Sequence, residues 1–317
     1  MKKSRLLLGI IIGVLLSSTG AYAVTNIFSQ DIEYDNFHSG LTATNVQDAI
    51  DEVYMNVQNS GGGGGSGTGE TRLCKRASSL HSEMCESNIC GTTGDVVTYG
   101  NLGTNGLTSG DAFDCDVNGD GIHDPINERF YYVTDTDEGI AVLVYYANVY
   151  RGKLTYSEFS TYNTITGVNI GGPLSVLEHL PTMEQWPNVN LINPIRSITN
   201  ELGGNTTGAG TITEFDYQDR VARLLTYQEV EAACYDGATA LTNSLGVSTN
   251  CLFLMQNSHR TTNNQINGYW LETPQSATPQ EVWYINGASG NLATATLTMG
   301  QIAVRPVIEV EKSNIRY

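Results

Sequence analysis

The sequence lacks the short motifs that mark the common hydrolase and nucleotide-binding active sites. It contains no H-E-x-x-H pair, no G-x-S-x-G elbow and no P-loop. Its 5 histidines are scattered, and none lies at the spacing of a metal-ligand pair. The many carboxylates leave a glycosidase-type pair open, but no pattern singles one out. A non-catalytic role is therefore favoured, and the question of an enzyme stays open.

Basic residues are also scarce. Lysine and arginine number 16 against 33 aspartates and glutamates, which gives a formal net charge of −17. Nucleic acids and anionic lipids bind to surfaces rich in cations, so neither is an expected partner. A charge of this sign suits a soluble extracellular protein that meets hard cations.

The chain has a single long apolar run, Leu6–Leu16. It follows three cations and precedes Ala21-Tyr22-Ala23, which has the small-x-small form of a signal peptidase site. The run is shorter than the roughly 20 residues of a spanning helix. We therefore predict that residues 1–23 are a cleaved signal peptide and the chain's only membrane contact. The mature protein is expected outside the cell, either secreted or held at the surface by non-covalent contacts.

All the cysteines lie beyond this signal, at Cys74, Cys85, Cys90, Cys115, Cys234 and Cys251. An even number in an oxidising compartment favours disulfides. Closeness in sequence suggests that Cys234 pairs with Cys251, which leaves the other four to pair among themselves. A zinc site is the competing interpretation, but Cys85 and Cys90 are not spaced like a zinc knuckle.

The segment before the globular part is predicted to be a stalk. Residues 24–60 contain apolar side chains at helical spacing within residues 41–57. One short helix cannot bury such a stripe alone, so it docks on its own domain or forms a homo-oligomer with other copies. Residues 61–70, mostly glycine and serine, are a flexible linker.

Beyond the linker, strands and helices are both indicated. Thr226 and Glu229 form a capping box for a helix from Tyr227 to about Ala233, and a second helix is expected near Ile195–Leu202. The predicted strands are Arg129–Val133, Ile140–Tyr146, Leu252–Met255, Gly268–Leu271, Val282–Ile285 and Ile302–Val310. This order predicts an α+β fold, with a loop-rich, disulfide-containing region over 71–215 and a C-terminal domain over 216–317.

The sharpest chemical motif is D-x-N-x-D-G-x-x-D, the beginning of a calcium loop. Side-chain oxygens, one backbone carbonyl at Ile122 and a closing carboxylate would surround the ion, and the predicted ligands are Asp116, Asn118, Asp120, Ile122, Asp124 and Glu128. The usual glutamate at position twelve is replaced by Asn127, so Glu128 or Asp114 must complete the set. The alternative is a solvated Asp/Gly turn. Bound Ca²⁺ is expected to be structural.

Three aromatic residues, Trp270, Trp283 and Tyr284, are candidates for a ligand-binding face, because aromatic rings offer flat contact area at low entropic cost. The alternative is that they lie in the core, and we favour it for the two tryptophans.

An ordered series of segments resembles a family of uncharacterised exported proteins from gram-positive gut bacteria. The segments are Leu73–Ala77, Gly110–Asp116, Glu128–Val133, Leu180–Trp186, Ala222–Val230, Tyr269–Pro274 and Val304–Val310. The final third, with the W-L-x-x-P pattern of Trp270–Pro274 and the V-R-P ending that begins at Val304, looks like a domain of unknown function and resembles the formylglycine-generating-enzyme and C-type-lectin fold. This likeness implies a lectin-like C-terminal domain used for display and binding. The active-site cysteines of that enzyme and the calcium signature of the lectins are missing, so neither activity is implied.

The sequence thus predicts a secreted or cell-surface binding protein, adhesin-like, whose ligand is an extracellular glycan or protein. The alternatives are a carboxylate-dependent extracellular hydrolase and a structural subunit of a surface or tail-like assembly.

Overall fold

A computed structural model describes residues 72–85, 90, 92–137, 139–154, 158–164, 172–204, 214–235, 242, 245, 251–257, 268–278 and 280–317. The predicted signal peptide, stalk helix and glycine linker lie outside these residues, as does the oligomerisation predicted through residues 41–57. The described part falls within one compact unit, Glu70–Tyr317. None of its helices is long and apolar enough to cross a membrane.

The described residues form fifteen strands. They are β1 Cys74–Arg76, β2 Ser82–Met84, β3 Val96–Thr98, β4 Ala112–Cys115, β5 Arg129–Asp137, β6 Ile140–Tyr145, β7 Val149–Tyr150, β8 Lys153–Leu154, β9 Ile195–Ser197, β10 Glu214–Asp216, β11 Gly268–Pro274, β12 Glu281–Asn286, β13 Asn291–Thr296, β14 Val307–Glu311 and β15 Ile315–Arg316.

The centre of the fold is a six-stranded sheet in the order β14-β6-β5-β4-β1-β15. Its neighbouring strands β5 and β6 are antiparallel, with Tyr131 opposite Val144. Strand β6 is apolar along nearly its whole length because both of its faces are covered. The C-terminal strands β14 and β15 occupy the two edges, antiparallel to β6 and parallel to β1. The sheet therefore takes strands from both of the predicted segments, 71–215 and 216–317.

Each face of this sheet is packed by aromatic side chains. On one face Trp186 lies edge-on to Phe130 and Tyr145, with ring centroids 5.7 and 5.3 Å apart. On the other face Tyr131 contacts Phe253, at 5.9 Å between centroids. The core is thus built from side chains far apart in sequence.

A three-stranded meander, β11-β12-β13, forms the second largest sheet. Gly268 at the start of β11 has a φ of +113°, and a Cβ there would lie 1.5 Å from the carbonyl oxygen of Ile285 in β12. Glycine is required at this close approach of two backbones. Tyr269 of the meander forms an isolated bridge with Ala303, in the segment that precedes β14 of the central sheet.

The fold is mainly β, so the predicted α+β class is wrong. The described residues contain only two α-helices, α1 at Leu174–Leu177 and α2 at Tyr227–Cys234. The helix expected near Ile195–Leu202 is instead strand β9, because its Ser, Thr and Asn residues favour extended and turn conformations and β10 is at hand to pair with it. The expected strand at Leu252–Met255 is a short 3₁₀ helix, Leu252–Leu254.

The capping box of α2 is confirmed. The Thr226 side chain accepts a hydrogen bond from the Glu229 backbone N–H, and the Glu229 carboxylate accepts one from the Thr226 backbone N–H at 2.9 Å. The helix ends at Cys234, where a disulfide holds it.

The predicted disulfides are confirmed, since all three pairs form: Cys74–Cys115, Cys85–Cys90 and Cys234–Cys251. The last is the pair suggested by closeness in sequence. The first joins neighbouring strands, since Cys74 of β1 lies directly opposite Cys115 of β4.

Candidate metal centre

The calcium-like motif forms the connection between two neighbouring strands of the central sheet. It begins at Asp116, directly after β4, and ends at Glu128, directly before β5. The Cys74–Cys115 disulfide fixes the residue directly before the loop, and the Asp116 N–H donates to the Leu73 carbonyl at 2.9 Å. The two ends of the loop are therefore held by the sheet, as a preorganised site requires.

Inside the loop, side-chain oxygens accept hydrogen bonds from backbone N–H groups two residues further along the chain. The Asn118 Oδ1 accepts from the Asp120 N–H at 2.9 Å, and the Asp120 Oδ1 accepts from the Ile122 N–H at 2.8 Å. Gly119 and Gly121 take positive φ values of 74° and 79°, which other residues adopt only at a cost. The alternating polar residues thus turn the chain tightly through hydrogen bonds between near neighbours.

The two ends of the loop bring buried carboxylates together. Asp116 is only 6% exposed; its Oδ2 accepts from the Gly121 N–H at 3.0 Å, while its Oδ1 is buried without a hydrogen-bond partner. Glu128 is 3% exposed and accepts from the backbone N–H groups of Asn118 and Asp124, at 3.3 and 3.0 Å. Glu128 therefore closes the loop from the far end.

The environment of Glu128 is unfavourable to its charge. Burial raises the pKa of its carboxyl to about 7; the two backbone hydrogen bonds oppose this rise, and the negative charges of Asp116 and Asp120 add to it. Asp124, at the exposed side, behaves in the opposite way, because the Ile126 N–H stabilises its ionised form and lowers its pKa. A cation at the centre would relieve the repulsion at Glu128.

The loop stands apart from the other buried acids of the molecule. The buried carboxylates of the described residues are Asp111, Asp114, Asp116, Glu128, Glu229, Glu272 and Glu309. Five of them form salt bridges with arginines, namely Asp111, Asp114, Glu229, Glu272 and Glu309. The remaining two, Asp116 and Glu128, have no salt bridge among the described residues, and both lie in this loop. A buried carboxylate is costly unless a cation or hydrogen bonds compensate it.

The donor set fits a hard cation. Nowhere in the described ranges do three or more His, Cys, Asp or Glu side chains gather into a ready metal cluster, so the acids alone do not form a site. The motif, however, also offers the Asn118 amide oxygen and the Ile122 carbonyl, and the Asp116 Oδ1 is a buried oxygen in need of a partner. Oxygen donors of this mixed kind are what calcium prefers.

The sequence left two candidates to complete the set, and the structure separates them. The Asp114 Oδ1 accepts from the Arg129 Nε at 2.7 Å, in a pair that is fully buried. Its charge is therefore already compensated. Glu128 lies within the loop and is the better placed of the two.

The outside of the loop is tied to several parts of the fold. Asn188 donates to the Asp116 carbonyl at 2.7 Å, and the Tyr145 hydroxyl donates to the Asn127 carbonyl at 2.6 Å. His81 contacts the Pro125 carbonyl through its Nε2. A change in the loop is therefore transmitted to the packing around it, which links the site to stability.

The three aromatic residues proposed to bind ligand lie in the core. Trp270 is fully buried, and its Nε1 donates to the Ser160 carbonyl at 2.8 Å. Trp283 donates to Glu201 at 3.1 Å, and Tyr284 accepts from Asn286 at 3.1 Å. The structure therefore places none of the three on a free surface, and the core interpretation accounts for all of them.

Sequence reasoning missed a buried network of charges. Arg223 binds Glu229 at 2.6 Å and Glu309 at 2.8 Å, while Arg196 binds Glu309 at 3.0 Å and Glu272 at 3.2 Å. Burial pushes the pKa of Glu229 upwards, but the charge and hydrogen bonds of Arg223 outweigh this and hold it below its usual value. The capping box at Glu229 was the only sequence signal, since the other partners are far apart in the chain.

No protein-family model matches this chain, and no curated protein or solved structure is significantly similar to it. The resemblances drawn from the sequence therefore stay predictions.

Proposed function

We infer that this protein is an extracellular binding protein whose globular part is stabilised by calcium in the loop Asp116–Glu128. The main support for the metal site is the way in which buried carboxylates are paired with cations. Arginines compensate the other buried carboxylates of the described residues, whereas Asp116 and Glu128 have no arginine or lysine partner. A cation supplied from solution completes this pattern.

Calcium fits better than zinc or magnesium on chemical grounds. Zinc in proteins is held largely by cysteine and histidine, and the cysteines nearest the loop are consumed in disulfides. Magnesium keeps several waters and demands near-octahedral geometry, whereas calcium accepts many oxygen ligands in flexible arrangements. The alternating carboxylate, amide and carbonyl oxygens of the loop suit calcium.

The location follows from the disulfides and the predicted signal. Three disulfides are compatible with an extracellular protein, because such bonds persist in oxidising compartments. Extracellular calcium modules commonly bind in the range of about 10⁻⁴–10⁻³ M. We propose secretion, or non-covalent association with the cell surface, after cleavage of residues 1–23.

A binding role is favoured over hydrolysis by the state of the buried carboxylates. Glu229 is held ionised by Arg223, whereas a general acid needs a raised pKa and access to a substrate. Glu128 has a raised pKa but lies in the proposed metal loop. The third hypothesis, a subunit of a surface or tail-like assembly, depends on residues 41–57, which lie outside the described residues.

Calorimetric titration of calcium into chelator-treated protein tests the metal. We expect saturable heat and a rise in the melting temperature, both lost in Asp116→Asn. The control is Asp95→Asn, the same change at an exposed turn. Absence of heat in the wild-type protein, with unchanged melting, would exclude the calcium site.

The binding role is tested separately, by probing the calcium-loaded protein on arrays of glycans and of extracellular proteins. We expect specific, saturable signals on one of the two. Silence on both would refute a ligand-recognition function and favour the structural-subunit hypothesis.

A further inference from the structure

We propose that a cleft between the β3–β4 connection and the end of α2 binds a neutral oligosaccharide. This inference rests on the binding function proposed above and gives it a site. The cleft has a volume of about 650 Å³ and is lined by Thr98, Gly100, Asn101, Thr108, Ser109, Ala233, Leu252 and Phe253. This volume is within the range of about 300–1,000 Å³ that small-molecule sites occupy.

One wall of the cleft is fixed by a disulfide. Ala233 lies next to Cys234 at the end of α2, and Leu252 lies next to Cys251 at the start of the 3₁₀ helix. The Cys234–Cys251 bond therefore holds together the two segments that form this wall. Phe253 is buried beneath it, against the ring of Tyr131.

The opposite wall is fixed by Arg76. Its Nη1 donates to the Leu102 carbonyl at 2.8 Å and to Asp111 at 3.1 Å, and its Nη2 donates to the Gly106 carbonyl at 2.6 Å. Asp111 in turn accepts from the Thr108 N–H at 3.1 Å. One guanidinium thus pins both ends and the middle of the connection, so the cleft is held open before any ligand arrives.

Glycines let the β3–β4 connection pack closely against aromatic rings of the core. Gly100 and Gly110 have φ values of +75° and +89°. A Cβ at Gly100 would lie 2.5 Å from the Tyr131 ring, and one at Gly110 would lie 3.1 Å from Phe253. Glycine at both positions lets the connection lie close to Tyr131 and Phe253, and Gly100 itself lines the cleft.

The chemistry of the lining indicates a neutral ligand. None of the described residues that line the cleft is ionisable, although the chain carries 33 acidic residues. The polar side chains on the exposed part of the lining are those of Thr98, Asn101 and Thr108, and they stand beside the apolar Ala233 and Leu252. The Thr98 hydroxyl also shares a hydrogen bond with the Ser82 hydroxyl at 2.8 Å. Sugar rings present the same combination of hydroxyl edges and apolar C–H faces, and they require no counter-charge.

Two other ligand classes fit less well. A charged glycan or a phosphorylated ligand would need a cation in the lining to compensate its desolvation. An extended peptide adds to an exposed strand edge, whereas this cleft is walled by a loop, a helix end and a 3₁₀ turn. The lining therefore selects the neutral sugar.

The test is titration of the calcium-loaded protein with neutral oligosaccharides chosen from a glycan array that also carries sialylated and sulfated glycans. We expect binding to neutral glycans, weakened at least tenfold in Asn101→Ala and abolished in Thr108→Tyr, whose ring fills the cleft. The control is Asn105→Ala, an exposed amide on the same connection that does not line the cleft. Arg76→Lys should weaken binding as well, because a single ammonium nitrogen cannot reach acceptors that are spread over the two Nη atoms of the guanidinium.

The outcomes separate this inference from the proposed function. Glycan binding that survives both Asn101→Ala and Thr108→Tyr in folded protein overturns the cleft while the binding role stands. Binding only to proteins or to charged glycans would likewise overturn the neutral-sugar cleft and leave the binding role intact. Silence on every array refutes both.

Discussion

Replacing Glu128 by glutamine is expected to have opposite effects with and without calcium. In chelator, the variant removes a buried negative charge that Asp116 and Asp120 repel, so the free energy of unfolding should rise at neutral pH. In saturating calcium, the same change removes a charged ligand of the ion. The free energy of unfolding of the variant should then be lower than that of wild type. An inversion of sign is hard to obtain from any role of Glu128 other than metal binding.

The magnitude follows from the pKa of the Glu128 carboxyl, which lies at about 7 in the folded protein against 4.5 normally. At about 1.4 kcal/mol per pKa unit, ionisation in the folded state costs about 3.5 kcal/mol above pH 7. Glutamine keeps one acceptor for the two backbone N–H groups of Asn118 and Asp124 and loses the other, and the unpaired N–H costs about 1–2 kcal/mol. The net gain in chelator is therefore about 1.5–2.5 kcal/mol. In calcium at 100 times its dissociation constant, wild type gains about 2.7 kcal/mol, which the variant lacks.

The pH dependence has a defined direction. The folded pKa is raised, so the folded state binds the proton more tightly than the unfolded state. The penalty is absent below pH 4.5, grows between pH 4.5 and 7, and is complete above pH 7. In chelator, wild type should therefore lose stability relative to Glu128→Gln as the pH rises through this window.

The assay is urea unfolding at pH 5 and pH 8, with chelator and with calcium, for wild type and Glu128→Gln. Destabilisation of the variant by the same amount in both media would refute the metal role, since it would show that Glu128 acts only through its hydrogen bonds. A stability difference between wild type and Glu128→Gln that is the same at pH 5 and pH 8 in chelator would refute the raised pKa.

Three further predictions concern the fold, each measured by urea unfolding. Arg223→Met leaves two buried glutamates without this partner and should lower the free energy of unfolding by about 3–5 kcal/mol. The control Arg316→Met, on an exposed edge, should change it by less than about 0.5 kcal/mol. Equal effects of the two substitutions would contradict a stabilising role of the buried ion pairs. Gly268→Ala should cost at least about 2 kcal/mol because its Cβ meets a backbone carbonyl, while Gly300→Ala, in open space, should be nearly neutral. Replacing both cysteines of Cys234–Cys251, separated by 17 residues, by alanine should cost about 3 kcal/mol, and an unchanged midpoint would show that the bond adds nothing.

Local signals in the sequence predicted those parts of the fold that local physics decides. The capping box at Thr226 lies where it was expected, because its two hydrogen bonds join residues three apart. The apolar run at Ile140–Tyr145 forms a strand covered on both faces, as its composition predicts. The alternating oxygens of the acidic loop fold it through contacts between near neighbours.

Other features depend on partners that a single sequence does not connect. Strand β9 forms because β10 pairs with it, so a segment with mixed propensity became a strand rather than a helix. Arg196 and Glu309 are ion-paired although 113 residues separate them. The sequence left the location of Trp270 and Trp283 open, because an aromatic residue suits a core and a binding face equally well. The burial of their rings in the structure places both in the core.

The proposed metal loop and the proposed cleft lie at the two ends of one short strand. β4 carries the cleft connection before Ala112 and the acidic loop after Cys115, and all four of its residues are buried. The Cys74–Cys115 disulfide and the Asp114–Arg129 ion pair anchor β4 at the end that leads into the acidic loop, and Arg76 anchors the connection at the other end. Because each end of β4 has its own anchor, loss of calcium should loosen the acidic loop and leave the structure of the cleft largely unchanged. The arrangement therefore favours calcium as a support for the fold rather than a switch for ligand binding.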